Sequence, residues 1–182
     1  MRKTILFALF AVSAASHAQV VAIGGPFPTF PQLQENFDLI PSGSYNSAPI
    51  WQSPAVGNVF ALNPPNLVDI LPPPGWQPPA FSAPNTCVGN NTDLGITVGP
   101  IPMRRFGGWF RNMPNAAGVA PTFAKIKFVD STGGFIGSVG IPLTNTWTWF
   151  GWKVNPKFSQ VDIYGSAGPG GVELDDIEAK PN

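Results

Sequence analysis

The chain has one histidine, one cysteine and few charges, and each scarcity removes a class of function. The histidine, His17, lies in a stretch built like a secretory leader. Arg2 and Lys3 supply the cations, Ile5 to Val12 is an unbroken apolar run, and Ser16-His17-Ala18 closes it with small residues. That run is shorter than the ~20 residues a bilayer-spanning helix needs, and no second run of that length follows. Residues 1–18 therefore read as a signal peptide, which makes the protein secreted or periplasmic from Gln19 onward. Without His17 the chain can build neither a Ser-His-Asp nor a Cys-His catalytic pair, and no His-ligated zinc or copper site. Without Arg2 and Lys3 it keeps eight basic residues against ten acidic ones. That balance offers no basic patch for a phosphate backbone and argues against a nucleic-acid partner. A lone Cys87 rules out an internal disulfide; it reads as a buried thiol, with an intermolecular bridge as the alternative.

What is abundant is turn chemistry. The sequence has 20 glycines and 22 prolines, while charged residues make up 11%, well below the usual ~25%. No stretch shows a sustained helical period with caps, whereas short β-like runs recur between Gly, Pro, Asn and Ser clusters. Strands are expected at 34–40, 57–62, 95–99, 103–110, 124–130, 135–141, 146–154, 158–165 and 171–179. Gln19 to Leu33, with three prolines and alternating phenylalanines, reads as an extended arm. From Asn63 to Asn91 the prolines cluster (NPPN, LPPPGWQPPAFSAPN), which predicts a long ordered loop or edge and no central strand. In AKIKFVD, Ile126 and Phe128 share a face and Lys125 and Lys127 the other. In VDIYG, Val161 and Ile163 point in and Asp162 and Tyr164 out. Asp130 to Gly134 reads as a hairpin turn. The fold class is all-β, an antiparallel two-sheet sandwich with a long Pro-rich loop, occupying residues 34–180.

Two stretches carry candidate chemistry. In TWTWFGW no assignment of inside and outside to Trp147, Trp149, Phe150 and Trp152 leaves a polar face. The strand is therefore either covered on both sides, the reading favoured here, or presents one side to a ligand. In FGGWF, Gly107 and Gly108 leave room beside the strand that a neighbouring ring could fill. In VELDDIE, Leu174 and Ile177 are three apart, an odd spacing that predicts a bulge at Asp175 and Asp176. Adjacent carboxylates there could hold Ca²⁺, with Asp38 as a further ligand if first and last strands are neighbours; a solvated acidic turn is the alternative.

The combination of NFD followed by Pro-x-Gly, RFGGWF, KIKFVDSTGGFIG, WFGW and terminal VELDDIEA resembles jelly-roll domains of bacterial exported proteins. Among these are domains associated with the PEP-CTERM sorting system, although the chain stops at Pro181-Asn182 without that system's tail. More distantly, it is similar to galactose-binding-like carbohydrate-binding modules. The latter resemblance implies a structural Ca²⁺ held by Asp38 together with Asp175 or Asp176. The function expected from all of this is a non-catalytic module for glycan or extracellular matrix, with Trp76, Trp109, Trp147, Trp149 and Trp152 as ligand candidates. Two alternatives stand beside it. One is a glycoside hydrolase using a carboxyl pair drawn from Glu35, Asp38, Glu173, Asp175, Asp176 and Glu178. The other is a structural protein of the cell surface that assembles through its arm and strand edges.

Overall fold

A computed structural model describes residues 19–27, 33–51, 57–72, 82, 84–90, 92–114, 117–165 and 171–181. Residues 1–18, expected from sequence to be a leader and containing His17, lie outside these residues, as does Trp76. The described strands are β1 (Gln19–Ile23), β2 (Leu33–Glu35), β3 (Gly43–Tyr45), β4 (Ser47–Ile50), β5 (Gly57–Ala61), β6 (Val68–Leu71) and β7 (Thr86–Asn90). They continue with β8 (Leu94–Thr97), β9 (Met103–Met113), β10 (Phe123–Val129), β11 (Phe135–Pro142), β12 (Thr148–Phe158), β13 (Gln160–Gly165) and β14 (Gly171–Lys180). No helix occurs among the described residues, and so none that is long and apolar enough to cross a membrane.

All pairings are antiparallel and fall into two sheets. One runs β1-β12-β9-β14-β7-β6-β3, with β2 added on β14; the other runs β11-β10-β13-β8-β5-β4. The expected all-β, jelly-roll-like sandwich is therefore the fold. Alternation places the core between the sheets: Ile126, Phe128, Val161 and Ile163 from the smaller sheet meet Phe106, Phe110, Trp152, Val154 and Leu174 from the larger. The hairpin at Asp130 closes as expected, with Gly133 at a φ of 86° and the Asp130 carboxylate accepting the Thr132 and Gly134 N–H groups.

Three expectations need correction. The first strand stops at Glu35 rather than running to residue 40, because Phe37 turns left-handed at a φ of 63°. The Glu35 carboxylate fixes that turn, accepting the N–H of Phe37 at 2.7 Å and that of Trp51, also left-handed, at 2.8 Å. Next, the proline-rich region contains β6 and β7, and β7 is central, bonded to β14 on one side and β6 on the other. The prolines border these strands at 64–65 and 72–74 instead of interrupting them. Last, Asp162 shares the outward side with Tyr164 but is only 3% exposed. Gln160 donates to it at 2.5 Å and the Lys127 ammonium lies 3.3 Å away.

Cys87 sits on β7 in the core, and burial, with nearby Asp69 and Glu35 adding to it, pushes its thiol well above the ordinary value. Cys87 is thus the buried thiol that the first of the two sequence readings expected.

Candidate functional site

Gln19–Ile23 of the arm runs beside β12 as the outermost strand of the larger sheet, and the chain then brings Phe27 over that sheet's outer face. On this face β12, β9 and β14 set out their residues in rows. Trp149 lies opposite Trp109, and Trp109 opposite Asp175; two residues along, Gly151 lies opposite Gly107, and Gly107 opposite Glu178. The expected bulge makes the second row possible. The register of β14 shifts between Asp175 and Glu178, Asp176 turns left-handed at a φ of 41°, and Leu174 and Ile177 both reach the core.

The glycine row is a seat for an indole. A Cβ on Gly107 would stand 2.6 Å from Cζ2 of Trp149, and one on Gly151 would collide with the same ring, so the ring lies over both backbones. The sequence anticipated the gap beside Gly107; the space beside Gly108 is taken by Ile177. The Trp149 indole N–H donates to Glu178, whose Oε1 also accepts the Phe27 N–H at 3.0 Å. The Phe27 ring meets Trp149 edge-on, 6.2 Å between centroids at 82°. Trp149 is thus half-buried and fixed, its ring laid against the sheet.

The other candidates divide. Trp109 and Trp147 are half-buried on this same side, Trp147 with the Arg111 guanidinium 4.3 Å from its ring centroid. Beneath it Arg111 and Glu173 form a bidentate pair at 2.6 and 2.8 Å, and Thr86 donates to Glu173 at 2.7 Å. Trp152 points the opposite way into the core and takes no part in this face.

The acidic candidates come together around Ser82 and Asn85. Ser82 donates its N–H at 2.9 Å and its hydroxyl at 3.2 Å to Asp175, and the same hydroxyl lies 3.2 Å from Asp176. Asp38 accepts from Asn36 at 2.9 Å and from the Asn85 N–H at 3.1 Å. The opening strand does run beside the closing one, Glu35 opposite Ile177. Even so, no three His, Cys, Asp or Glu side chains among the described residues converge as metal ligands, and the carboxylates are held by protein donors. Burial pushes Asp175 from 3.8 up to about 7, with the Asp176 charge adding and the Ser82 and Asp176 N–H bonds opposing. Burial also raises Asp176, with Asp38 adding, and Glu178, with Asp176 adding.

A pH dependence follows from Asp175. Between about pH 4 and 7 the native carboxyl holds a proton that the unfolded one has lost, so native stability falls as pH rises through this window. In chelator the melting temperature should decline from pH 4 to 7 and level off above. Asp175→Asn, uncharged throughout, should flatten that decline; an equal slope in the variant would contradict the assignment.

No protein-family model matches the chain, and no curated protein does. Solved structures do match. Two cleaved adhesin domains of Lys-gingipain, one described as from Porphyromonas gingivalis, align over 82% of this chain and 97–98% of their own. Their TM-score is 0.55 at 10% and 12% identity. A xylan-binding CBM22-1 domain of Paenibacillus barcinonensis Xyn10C aligns over 82% of this chain and 94% of its own, with a TM-score of 0.46 and 14% identity. At such identities the likeness concerns fold. It agrees with a two-sheet β-sandwich and lends no support to the PEP-CTERM association.

Reasoning from sequence missed Phe27, Ser82 and the pairing of Glu178 with Trp149. A signal for the last was present, since glycines at 107 and 151 both sit two residues from an aromatic on the same side of their strands. What was lacking was the register that sets them opposite each other.

Proposed function

We propose that the protein is a secreted, non-catalytic module that binds glycan on the outer face of its larger sheet, with Trp149 as the stacking platform and Trp109 beside it. The observation that carries this reading is the Gly107–Gly151 seat. Two side chains are omitted from opposing strands so that one indole can lie flat, and its N–H and edge are then fixed by Glu178 and Phe27. A pre-positioned ring loses little freedom on stacking against a pyranose. The adhesin-like fold and the leader pattern support an extracellular binding role. Asp175 is the carboxyl whose ionisation most resembles that of a general acid, but its oxygens already accept from Ser82 and Asp176, which favours binding over glycoside hydrolysis.

An oligosaccharide panel followed by tryptophan fluorescence tests the proposal. A ligand that shifts emission should lose about tenfold or more in affinity in Trp149→Ala, the size expected for a central aromatic contact. No response across the panel, or full affinity in the variant, would refute it; release of reducing ends would favour the hydrolase.

Calcium at Asp38, Asp175 and Asp176 is a separate proposal. What supports it is the crowding of like charge, Asp38 and Asp176 each acting against the ionisation of a neighbour; it requires Ser82 to yield its bonds. Millimolar calcium should then raise the melting temperature at pH 8 above its value in chelator, and equal values would reject the ion.

A further inference from the structure

Beyond the glycine row, the same three strands carry a row of cations. Lys153 on β12 lies opposite Arg105 on β9, and Arg105 lies opposite Lys180 on β14. These are the outward positions two residues past Gly151 and Gly107, roughly 7 Å from the glycine seat along the strands. Three of the eight cations that follow the leader are thus aligned side by side in a chain whose acidic residues outnumber them. Like charges directly opposite one another weaken a sheet, so Lys153 beside Arg105 works against the fold unless an anion is placed over the two. Arg111 pairs with Glu173 and Lys127 with Asp162, whereas no described carboxylate makes an ion pair with Arg105 or Lys153. Arg105 is also the described residue with a buried side-chain nitrogen, Nε, that has no hydrogen-bond partner. A buried guanidinium N–H left unmet is costly in a finished structure and is what a bound acceptor would satisfy.

We propose that Lys153, Arg105 and Lys180 form an anion subsite, and that the glycan bound on this face is acidic, a uronate whose carboxylate is taken by Arg105 while its ring stacks on Trp149. This rests on the reading of Trp149 as a stacking platform. The planar fork of Arg105 suits a carboxylate bidentately, and Lys153, exposed at the rim, adds a point charge. Asp175, two rows away, and Glu178, in the glycine row between, are acidic, but their oxygens are turned to Ser82, Asp176 and Phe27. Arg105 and Lys153 have no carboxylate partner, so an acidic sugar is drawn to their end of the face.

Calorimetric titration of the full chain can test this with oligogalacturonate, oligomannuronate and hyaluronan oligosaccharides. The fully methyl-esterified oligogalacturonate, neutral xylo-oligosaccharides and a sulfated chondroitin oligosaccharide serve as comparators. At least one uronate should bind ten or more times tighter than the methyl ester and weaken steeply with salt. Arg105→Met should remove most of that preference while leaving binding of the ester as it was. Lys153→Gln, at an exposed position that folding does not depend on, should reduce the preference several-fold. Neutral sugars bound as tightly as uronates, or a preference unchanged in both variants, would overturn the anion subsite yet leave the platform standing. Tighter binding of the sulfated probe than of any uronate would overturn the carboxylate assignment. Failure of every saccharide to bind would remove the platform reading and this one together.

Discussion

Glu173→Gln should lower the melting temperature by roughly 10 °C, although residue 173 is on the side of the sheet away from the core. Arg111 and Glu173 are each 1% exposed, so the substitution leaves a charged guanidinium in a dry site facing a neutral amide whose NH2 cannot accept from it. Breaking a buried pair from one side costs about 3–5 kcal/mol, and a domain of this size loses about 2–4 °C per kcal/mol. The side chain keeps its shape, so lost packing contributes little. Thr86 retains an acceptor in the Gln carbonyl and a second, longer bond to Leu71.

The charge argument has a second arm. If the loss comes from an unpaired cation, removing both charges should restore most of it: Arg111→Met with Glu173→Leu should lie within about 1–2 kcal/mol of the natural protein, as buried ion pairs exchanged for apolar groups often do. The double variant gives up the guanidinium beneath Trp147, and the fluorescence of that ring should change even where stability returns. A single variant that melts within two or three degrees of the parent would show that water reaches the pair. A double variant no better than the single would show that packing, not charge, holds β9 to β14 at this point.

The sequence disclosed most of what depends on alternation. Ile126 against Lys127 fixed the faces of β10, and the odd interval from Leu174 to Ile177 announced the bulge that brings Glu178 opposite Gly107. Gly107 itself announced a ring. Contacts between residues far apart in the chain were beyond its reach. Arg111 and Glu173 are 62 positions apart, and Phe27 meets Glu178 across 151; nothing local marks such partners. The central place of β7 was hidden for a related reason. Thr86–Asn90 has a weak strand composition of its own, and its burial comes from β14 and β6 on either side. Asp38 was placed on a first strand, but Glu35 ends that strand by binding the N–H groups of Phe37 and Trp51, the second 16 residues away. The cationic row was open to view as three residues and invisible as a row, because only the register joins them.

Trp152→Ala should be about as damaging to stability as Glu173→Gln, and the comparison with Trp149→Ala separates the two sides of one strand. Trp152 is 2% exposed and reaches both sheets. It stacks on Phe106 at 6.4 Å and 12° and on Phe150 at 6.5 Å and 8°, and it meets Phe110 and Phe128 edge-on at 6.1 and 6.0 Å. Phe128 belongs to the smaller sheet, so the indole fills the gap where the layers face each other. Truncation opens a cavity lined by four rings that cannot all move inward, and such losses run to about 3–5 kcal/mol. That corresponds to roughly 10–15 °C in melting temperature. Trp152→Phe, which keeps a ring between the sheets, should recover about half. Trp149→Ala uncovers two glycines and one edge of Phe27 but opens no cavity between the layers, so it should cost about 1–2 kcal/mol and, on the proposed function, remove most glycan affinity. Equal thermal losses in the two alanine variants, or a Trp152→Ala protein that keeps its melting temperature, would mean that the sheets do not pack through this ring. The division of β12 into an interior side that holds the sandwich together and an outer side that does not would then fail.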